Sequence, residues 1–595
     1  QVVASQSVGP PPLVPFNMTK MARARVAACI LVLMHRGEAQ QPGTLSEDQH
    51  PPMPLWVCSA EGGCLSEATS LTLDAGRRWL HQANAAKGPG GQCGGQGFWN
   101  ATLCPDEMIC TANCALEGIS SADYAAQYGV IGVPDGVRIN YVTHETNVGS
   151  RLYLMDSATE NYKMFHLKNR EVAFDVDIST LDCGMNAALC FVEMEADGGL
   201  GKGNNRAGAK YGLGYCDARC PYEVNFIDGK ANMQPGTAGA CCTEMDIFEA
   251  NRMAASMTAH PCSSVGPRRC TGTDCGDGDR HEYYKGLCDK DGCEFNPFRM
   301  GDQSFFGPDA AVNTNRPITV VTQFLTEDGT DGGELSEIRR FYIQDGNIIQ
   351  NSKTSTIGVE GDSISNPVCA AQKNAFIETR ADAEGDYNQF AAKGGLRAMG
   401  EAFDRGMVLT FALWDDLGNH MKWLDSWQPD KLPKTTPGAL RGPCDETWGT
   451  PDWLRKTEPG AYTQFSNLRF GPIGSTQGQK MDGAEAVQSD AVAAAPGIYE
   501  GEVVGPGTPS LVEKVEEHDH QRHHRTRRRK GVPTGALVMT GITLLAVTGA
   551  TFAAWRRQRQ RMDMRGFNNC ALPDARAFRQ VVDDLEDDRE TMDLE

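Results

Sequence analysis

Positive charge is scarce in this chain. Lys and Arg number 56 against 77 Asp and Glu, a formal net charge of -21 over 595 residues. A surface of that sign repels phosphate, so nucleic acid is excluded as a partner, whereas a neutral polymer needs no charge steering. Repeated CxxC pairs at zinc-ribbon spacing are also missing, although there are 21 cysteines. No metal and no other cofactor is expected. Long apolar runs are rare. The run at residues 26–34 is too short to span a bilayer, and only residues 532–555 are apolar, uncharged and long enough.

These scarcities divide the chain. Residues 1–16 read as upstream leader. From Met18 or Met21 the pattern is that of a secretory signal: Lys20, Arg23 and Arg25, then the short apolar run, then Gly37-Glu38-Ala39 before a cleavage point. Residues 1–39 are therefore set apart from the fold. Residues 477–517 are rich in Gly, Ala, Val and Glu, without helical or strand periodicity. His518, His520, His523 and His524 follow; lacking a fixed scaffold, they read as a solvated basic stalk rather than a metal site. Residues 477–531 are thus a linker, 532–555 a transmembrane helix and 556–595 a cytoplasmic tail with an acidic end. Basic residues flank the span on both sides, Arg525 to Lys530 and Arg556 to Arg561, so charge asymmetry does not orient it. The signal and the cysteines do, and they predict a single-pass protein of the secretory pathway, at the cell surface or on an endomembrane, with its N-terminal side outside the cytoplasm. Nineteen cysteines lie between Cys58 and Cys444, and in that compartment disulfides explain them better than zinc.

The most informative segment is Cys241-Cys242-Thr243-Glu244-Met245-Asp246-Ile247-Phe248-Glu249-Ala250-Asn251. Three carboxylates stand in an apolar frame, and buried carboxylates are costly unless they share protons or hydrogen bonds. On a strand Glu244 and Asp246 point to one face. Glu249, five residues from Glu244, faces away unless the strand bulges or ends after Asp246. Two carboxyl groups roughly 5–5.5 Å apart are what a retaining glycosidase needs. Elsewhere, strand-like runs dominate: 137–142, 171–176, 318–324, 340–343 and 407–413. With 65 glycines for turns, they suggest an all-β fold of two packed antiparallel sheets of the jelly-roll kind.

The carboxylate segment resembles the active-site strand of the family 7 glycoside hydrolases, the fungal-type cellobiohydrolases and endoglucanases. The likeness continues through Ala209-Lys210-Tyr211-Gly212, Gly214-Tyr215-Cys216-Asp217, Thr258, His260-Pro261-Cys262, Asp291-Gly292-Cys293, Asn296-Pro297 and Val320-Val321-Thr322-Gln323-Phe324. It resumes at Leu413-Trp414-Asp415-Asp416, Trp423-Leu424-Asp425-Ser426 and residues 470–476. It covers about residues 40–476, which it marks as a catalytic domain acting on cellulose or another β-1,4-glucan, expected to be a monomer.

The resemblance implies a curved, concanavalin-like sandwich with a glucan groove or tunnel. It makes Glu244 the nucleophile, Glu249 the acid/base, Asp246 the hydrogen-bond partner of the nucleophile and His260 a histidine near the acid/base. At least one of the three carboxyl groups should have a raised pKa, and the acid/base is the natural holder of the proton. Trp79, Trp414 and Trp423 match sugar-stacking platforms. Asn186, Tyr215, Asp217, Asp291, Arg299 and Arg441 match substrate-binding positions. Arg77 stands in place of a further platform and Tyr283 in place of a product-site arginine. Cys190 stands where an aromatic residue is expected along the substrate path; a buried free thiol is the simpler reading.

The resemblance also implies nine disulfides: Cys58–Cys64, Cys93–Cys114, Cys104–Cys110, Cys183–Cys444, Cys216–Cys242, Cys220–Cys241, Cys262–Cys288, Cys270–Cys275 and Cys293–Cys369, with Cys190 left over. A further bridge of fungal members is missing at both of its positions, Gly43 and Ala115. Asn100-Ala101-Thr102 is a glycosylation sequon. The insert at 276–287 and the long segment 415–443 look like those of exo-acting members, while the short stretch 231–240 opens part of the roof. A cellobiohydrolase with a partly open tunnel is expected. The alternatives are an endoglucanase and a catalytically lost glucan-binding protein, the latter opposed by the intact carboxylates. No fungal-type cellulose-binding module follows Thr476.

Overall fold

In the computed structural model the described residues are 41–83, 91–95, 98–144, 147–233, 238–277, 283–376, 388–428 and 432–477. One compact unit, Gln1–Gly483 with Cys570–Glu595, contains all of them; the other, Ala484–Asn569, lies wholly outside. The expected leader, transmembrane span and cytoplasmic tail, and the linker after Gln477, also fall outside the described residues. Among the described residues no helix is long and apolar enough to cross a membrane.

Seven strands frame the site: β1 (Met185–Val192), β2 (Glu244–Ala250), β3 (Ala255–His260), β4 (Cys293–Phe295), β5 (Ile318–Thr326), β6 (Leu335–Gln344) and β7 (Met407–Asp415). They belong to two sheets. The first runs Asn161–Tyr162, Ser150–Asp156, β7, β1, β2, β3, β4. The second runs Asn347–Gln350, β6, β5, Arg170–Asp177, Tyr462–Pro472, Gly136–Asn140, Val130–Val133. Each of these chains of pairings is antiparallel; Leu55–Cys58 adds to Tyr462–Pro472 in parallel.

A single hydrophobic cluster fills the space between the sheets. Phe174 of the second sheet meets Phe248 of β2 edge-on at 5.7 Å, and Phe411 of β7 meets Phe465 at 5.6 Å. A buried Phe contributes about 1.5–3 kcal/mol by transfer alone. β1 is buried along its whole length, with apolar residues such as Leu189 and Phe191 in the core and Asn186 among the buried polar groups. The expected sandwich is therefore present, but it is mostly β rather than all-β, since helices Asn366–Ala375 and Gly395–Arg405 accompany the sheets.

Where β2 meets its neighbours the register breaks. On the β1 side, Cys190 pairs with Asp246 and Leu189 with Phe248, so Ile247 has no partner. On the β3 side the pairing jumps from Asp246 to Glu249. Ile247 and Phe248, neighbours in sequence, both enter the core cluster. That is the signature of a β-bulge, and it restores Glu249 to the face of Glu244 and Asp246.

All nine expected disulfides are formed, and Cys190 is the free, buried cysteine among the described residues.

Candidate active site

Glu244 opens β2 and is 8% exposed; its Oε2 accepts the Ala218 amide at 3.0 Å. Ala218 sits between Cys216, bridged to Cys242, and Cys220, bridged to Cys241. Two covalent ties thus hold a backbone donor over the first carboxylate, and the adjacent cysteine pair in the sequence is what makes that possible. Asp246 takes His260 Nε2 on its Oδ2 at 3.1 Å. His260 Nδ1 lies 2.8 Å from the Asp289 carbonyl, which requires an N–H there. Burial would lower the His260 pKa, but the Asp246 and Asp289 contacts outweigh it and raise it. Glu249 Oε1 accepts from Asn186 Nδ2 at 3.0 Å.

Burial pushes the pKa values of Glu244 and Glu249 well above the carboxylate range, and the neighbouring Asp246 pushes both further. The Ala218 amide and the Asn186 amide pull the other way. The expectation that at least one carboxyl is shifted holds, yet the shift is not confined to Glu249. Two such groups titrate as a pair, and the cluster gives up its first proton more readily than its second. The carboxylate that His260 pairs with is Asp246.

Cys190, opposite Asp246 on β1, brings its Sγ and oxygens of Glu244 and Asp246 within 4.8 Å of one another. Burial pushes its thiol pKa well up. The other groupings of metal-ligand type among the described residues contain cysteines already committed to disulfides.

Around this centre, Tyr215 donates to Asp217 Oδ2 at 2.7 Å, and the Arg151 guanidinium lies over the Tyr215 ring at 3.5 Å. Arg299 Nη1 and Arg441 Nη1 converge on Glu294 Oε2 at 2.5 and 3.0 Å. Asp291 accepts from Tyr283 at 3.2 Å, and Arg219 Nη1 donates to the same phenol at 3.0 Å. A guanidinium therefore returns, from another loop, beside the position where Tyr283 replaced one. Trp414 and Trp423 stack at 6.2 Å with planes 26° apart. Trp79 is 39% exposed and packs on His81. Arg77 donates to the Val148 carbonyl at 3.0 Å. Asn100 is exposed.

Sequence reasoning missed Arg219, Arg151 and Glu294. Arg219 stands between the bridged Cys216 and Cys220, a position that marks a constrained loop but not its target. Nothing local marks Arg151 or Glu294.

Carboxylates gathered on the face of one sheet of a β-sandwich are the groups that glycoside hydrolysis employs. The family model described as Glycosyl hydrolase family 7 matches residues 42–477, and the chain belongs to that family. A solved family 7 cellobiohydrolase from Daphnia pulex is 41% identical, with 73% of this chain and 100% of that one covered and a TM-score of 0.69. A cellobiohydrolase from Melanocarpus albomyces, solved with cellotetraose, is 35% identical over 73% of this chain and 99% of that one, TM-score 0.66. The endocellulase EGI of Humicola insolens is 36% identical over 73% and 100%, TM-score 0.63. The protein is thus a glycosidase of a family that contains both cellobiohydrolases and endoglucanases.

Proposed function

We propose that residues 40–476 hydrolyse β-1,4-glucosidic bonds of cellulose with retention, releasing cellobiose from chain ends. The observation that carries this reading is the bulge at Ile247, which sets Glu249 on the side of β2 that bears Glu244 and Asp246. Glu244 attacks the anomeric carbon while Glu249 protonates the departing glycosidic oxygen, and a covalent glycosyl-enzyme forms. Glu249, now a carboxylate, takes a proton from water as its oxygen attacks the same carbon and expels Glu244. Two inversions leave a β-product. Asp246, held by His260, flanks the nucleophile, and Asn186 orients the acid/base. Trp79, Trp414 and Trp423 stack on sugar rings, and Tyr215, Asp217, Asp291, Arg299 and Arg441 address hydroxyls. The cellotetraose-bound relative supports a gluco-oligosaccharide as ligand.

Glu244→Gln should lower turnover by on the order of 10⁴-fold or more while glucan binding persists. NMR of the first product should show the β-anomer. Wild-type turnover in the variant, or an initial α-anomer, defeats the assignment.

Exo action is supported by the length of segments 276–287 and 415–443; endo action is favoured by the short stretch 231–240. An exo enzyme releases reducing sugar with little fall in the viscosity of a soluble cellulose derivative, and an endo enzyme cuts viscosity first. The same proposal includes a membrane tether through residues 532–555, a linker at 477–531 and a catalytic domain outside the cytoplasm.

A further inference from the structure

The bulge at Ile247 has a price in backbone hydrogen bonding: Ile247 is without a pairing partner in β1 and in β3. Ile247 is fully buried, and a buried backbone acceptor left unmet is unfavourable. The donor that meets it comes from the other sheet. Arg340 of β6 extends through the core, and its Nη2 donates to the Ile247 carbonyl. Its Nε donates to Thr322 Oγ1 of β5 at 3.2 Å, directly across the Thr322–Arg340 cross-strand pair. The Tyr342 ring lies 5.7 Å from the guanidinium carbon. Arg340 is 2% exposed and Thr322 fully buried, and among the described residues no carboxylate contacts this guanidinium. A buried cation without a counterion is costly, and an apolar residue would fill the space at lower cost. What an apolar residue lacks is the fork: one arm tied to its own sheet, the other to the bulge.

We propose that Arg340 is a positioning residue for catalysis: its guanidinium, anchored on Thr322, holds the Ile247 carbonyl and thereby the bulge that turns Glu249 toward Glu244 and Asp246. This rests on the acid/base assignment of Glu249. Met245, Ile247 and Phe248 all occupy the core, whereas regular alternation through β2 would turn Phe248 out of it and Glu249 into it. Arg340 weights the balance toward the bulged form. It never touches substrate.

The test uses the full-length protein and two aryl cellobiosides, one with a dinitrophenyl leaving group and one with phenyl. In the step that forms the glycosyl-enzyme, a displaced acid/base harms the substrate whose leaving group needs protonation and spares the one whose leaving group does not. Arg340→Met keeps length and apolar bulk but removes both donors. It should lose at least about tenfold more kcat/KM on the phenyl than on the dinitrophenyl substrate, because kcat/KM reports the step in which the aryl group leaves. Arg340→Lys, which retains one donor, should recover part of that difference. Thr322→Val, a mild change that only unties the anchor, should show the same bias more weakly and remains informative if Arg340→Met does not accumulate. Equal losses on the two substrates, in whichever of these variants folds, overturn the proposal. Glu249→Gln serves as the reference. If it lacks the leaving-group bias, the acid/base assignment is at fault; if it shows the bias and the Arg340 and Thr322 variants do not, the positioning role alone is wrong.

Discussion

Asp425 ties the catalytic sheet together at one end, and its protonation should be visible in the stability of the domain. Its Oδ2 accepts the Gly184 amide and Asn251 Nδ2, each at 2.7 Å. Gly184 immediately precedes β1 and Asn251 immediately follows β2, so one oxygen joins the strand carrying Asn186 to the strand carrying the three carboxylates. Burial raises the Asp425 pKa from 3.8 to about 7, the two donors opposing that shift without cancelling it. A raised carboxylate pKa means that the folded state holds the proton more tightly than the unfolded state does. The stability this contributes is complete below the unfolded pKa and is lost as pH rises through the folded one. The shift from 3.8 to about 7 corresponds to about 4 kcal/mol lost between roughly pH 4 and pH 7, with no further change above. Asp425→Asn keeps a carbonyl oxygen for both donors and carries no titrating proton. Glu244 and Glu249 add pH dependence of the same sign, but identically in both proteins, so they cancel in the difference. Urea unfolding with the disulfides intact, from pH 4 to pH 8, should show wild type falling relative to the variant by a few kcal/mol across that window. Parallel curves would refute a protonated Asp425 in the folded sheet.

Three further outcomes follow. Asn186→Ala removes the donor that opposes the raised Glu249 pKa; a hydrogen bond to a charged group is worth about 1.5–3 kcal/mol, so the alkaline limb of the kcat/KM profile should move up by about 1–2 pH units. An unmoved limb separates Asn186 from the acid/base. Protease applied to sealed cells should remove the glucanase and leave a short fragment ending at Glu595, whereas digestion of a tag placed after Glu595 contradicts the proposed topology. Intact mass before and after glycosidase treatment should reveal a glycan that disappears in Asn100→Gln, and an unchanged mass argues against occupancy of that sequon.

Much of the site was legible along the chain. Side chains alternate on a strand, so a five-residue step from Glu244 to Glu249 demands a break in register, and the break lies between Asp246 and Glu249. The family likeness carried the disulfide pairs and left Cys190 single, as in the folded chain. Both rest on local order, either strand periodicity or a segment-by-segment match. Other features had no local signal. That the His260 ring pairs with Asp246 is set by cross-strand geometry. Tyr283 reads as a lost guanidinium, but the loop held by two disulfides brings Arg219 beside it. Arg340 opens the strand-like run 340–343, and only the packing of one sheet on the other sets its guanidinium against a carbonyl 93 residues away in sequence. Which residues can share a strand face is decided by backbone periodicity. Which buried charge meets which orphaned backbone group is decided by the three-dimensional fit of two sheets, where desolvation makes every unmet polar atom costly and so selects a single pairing.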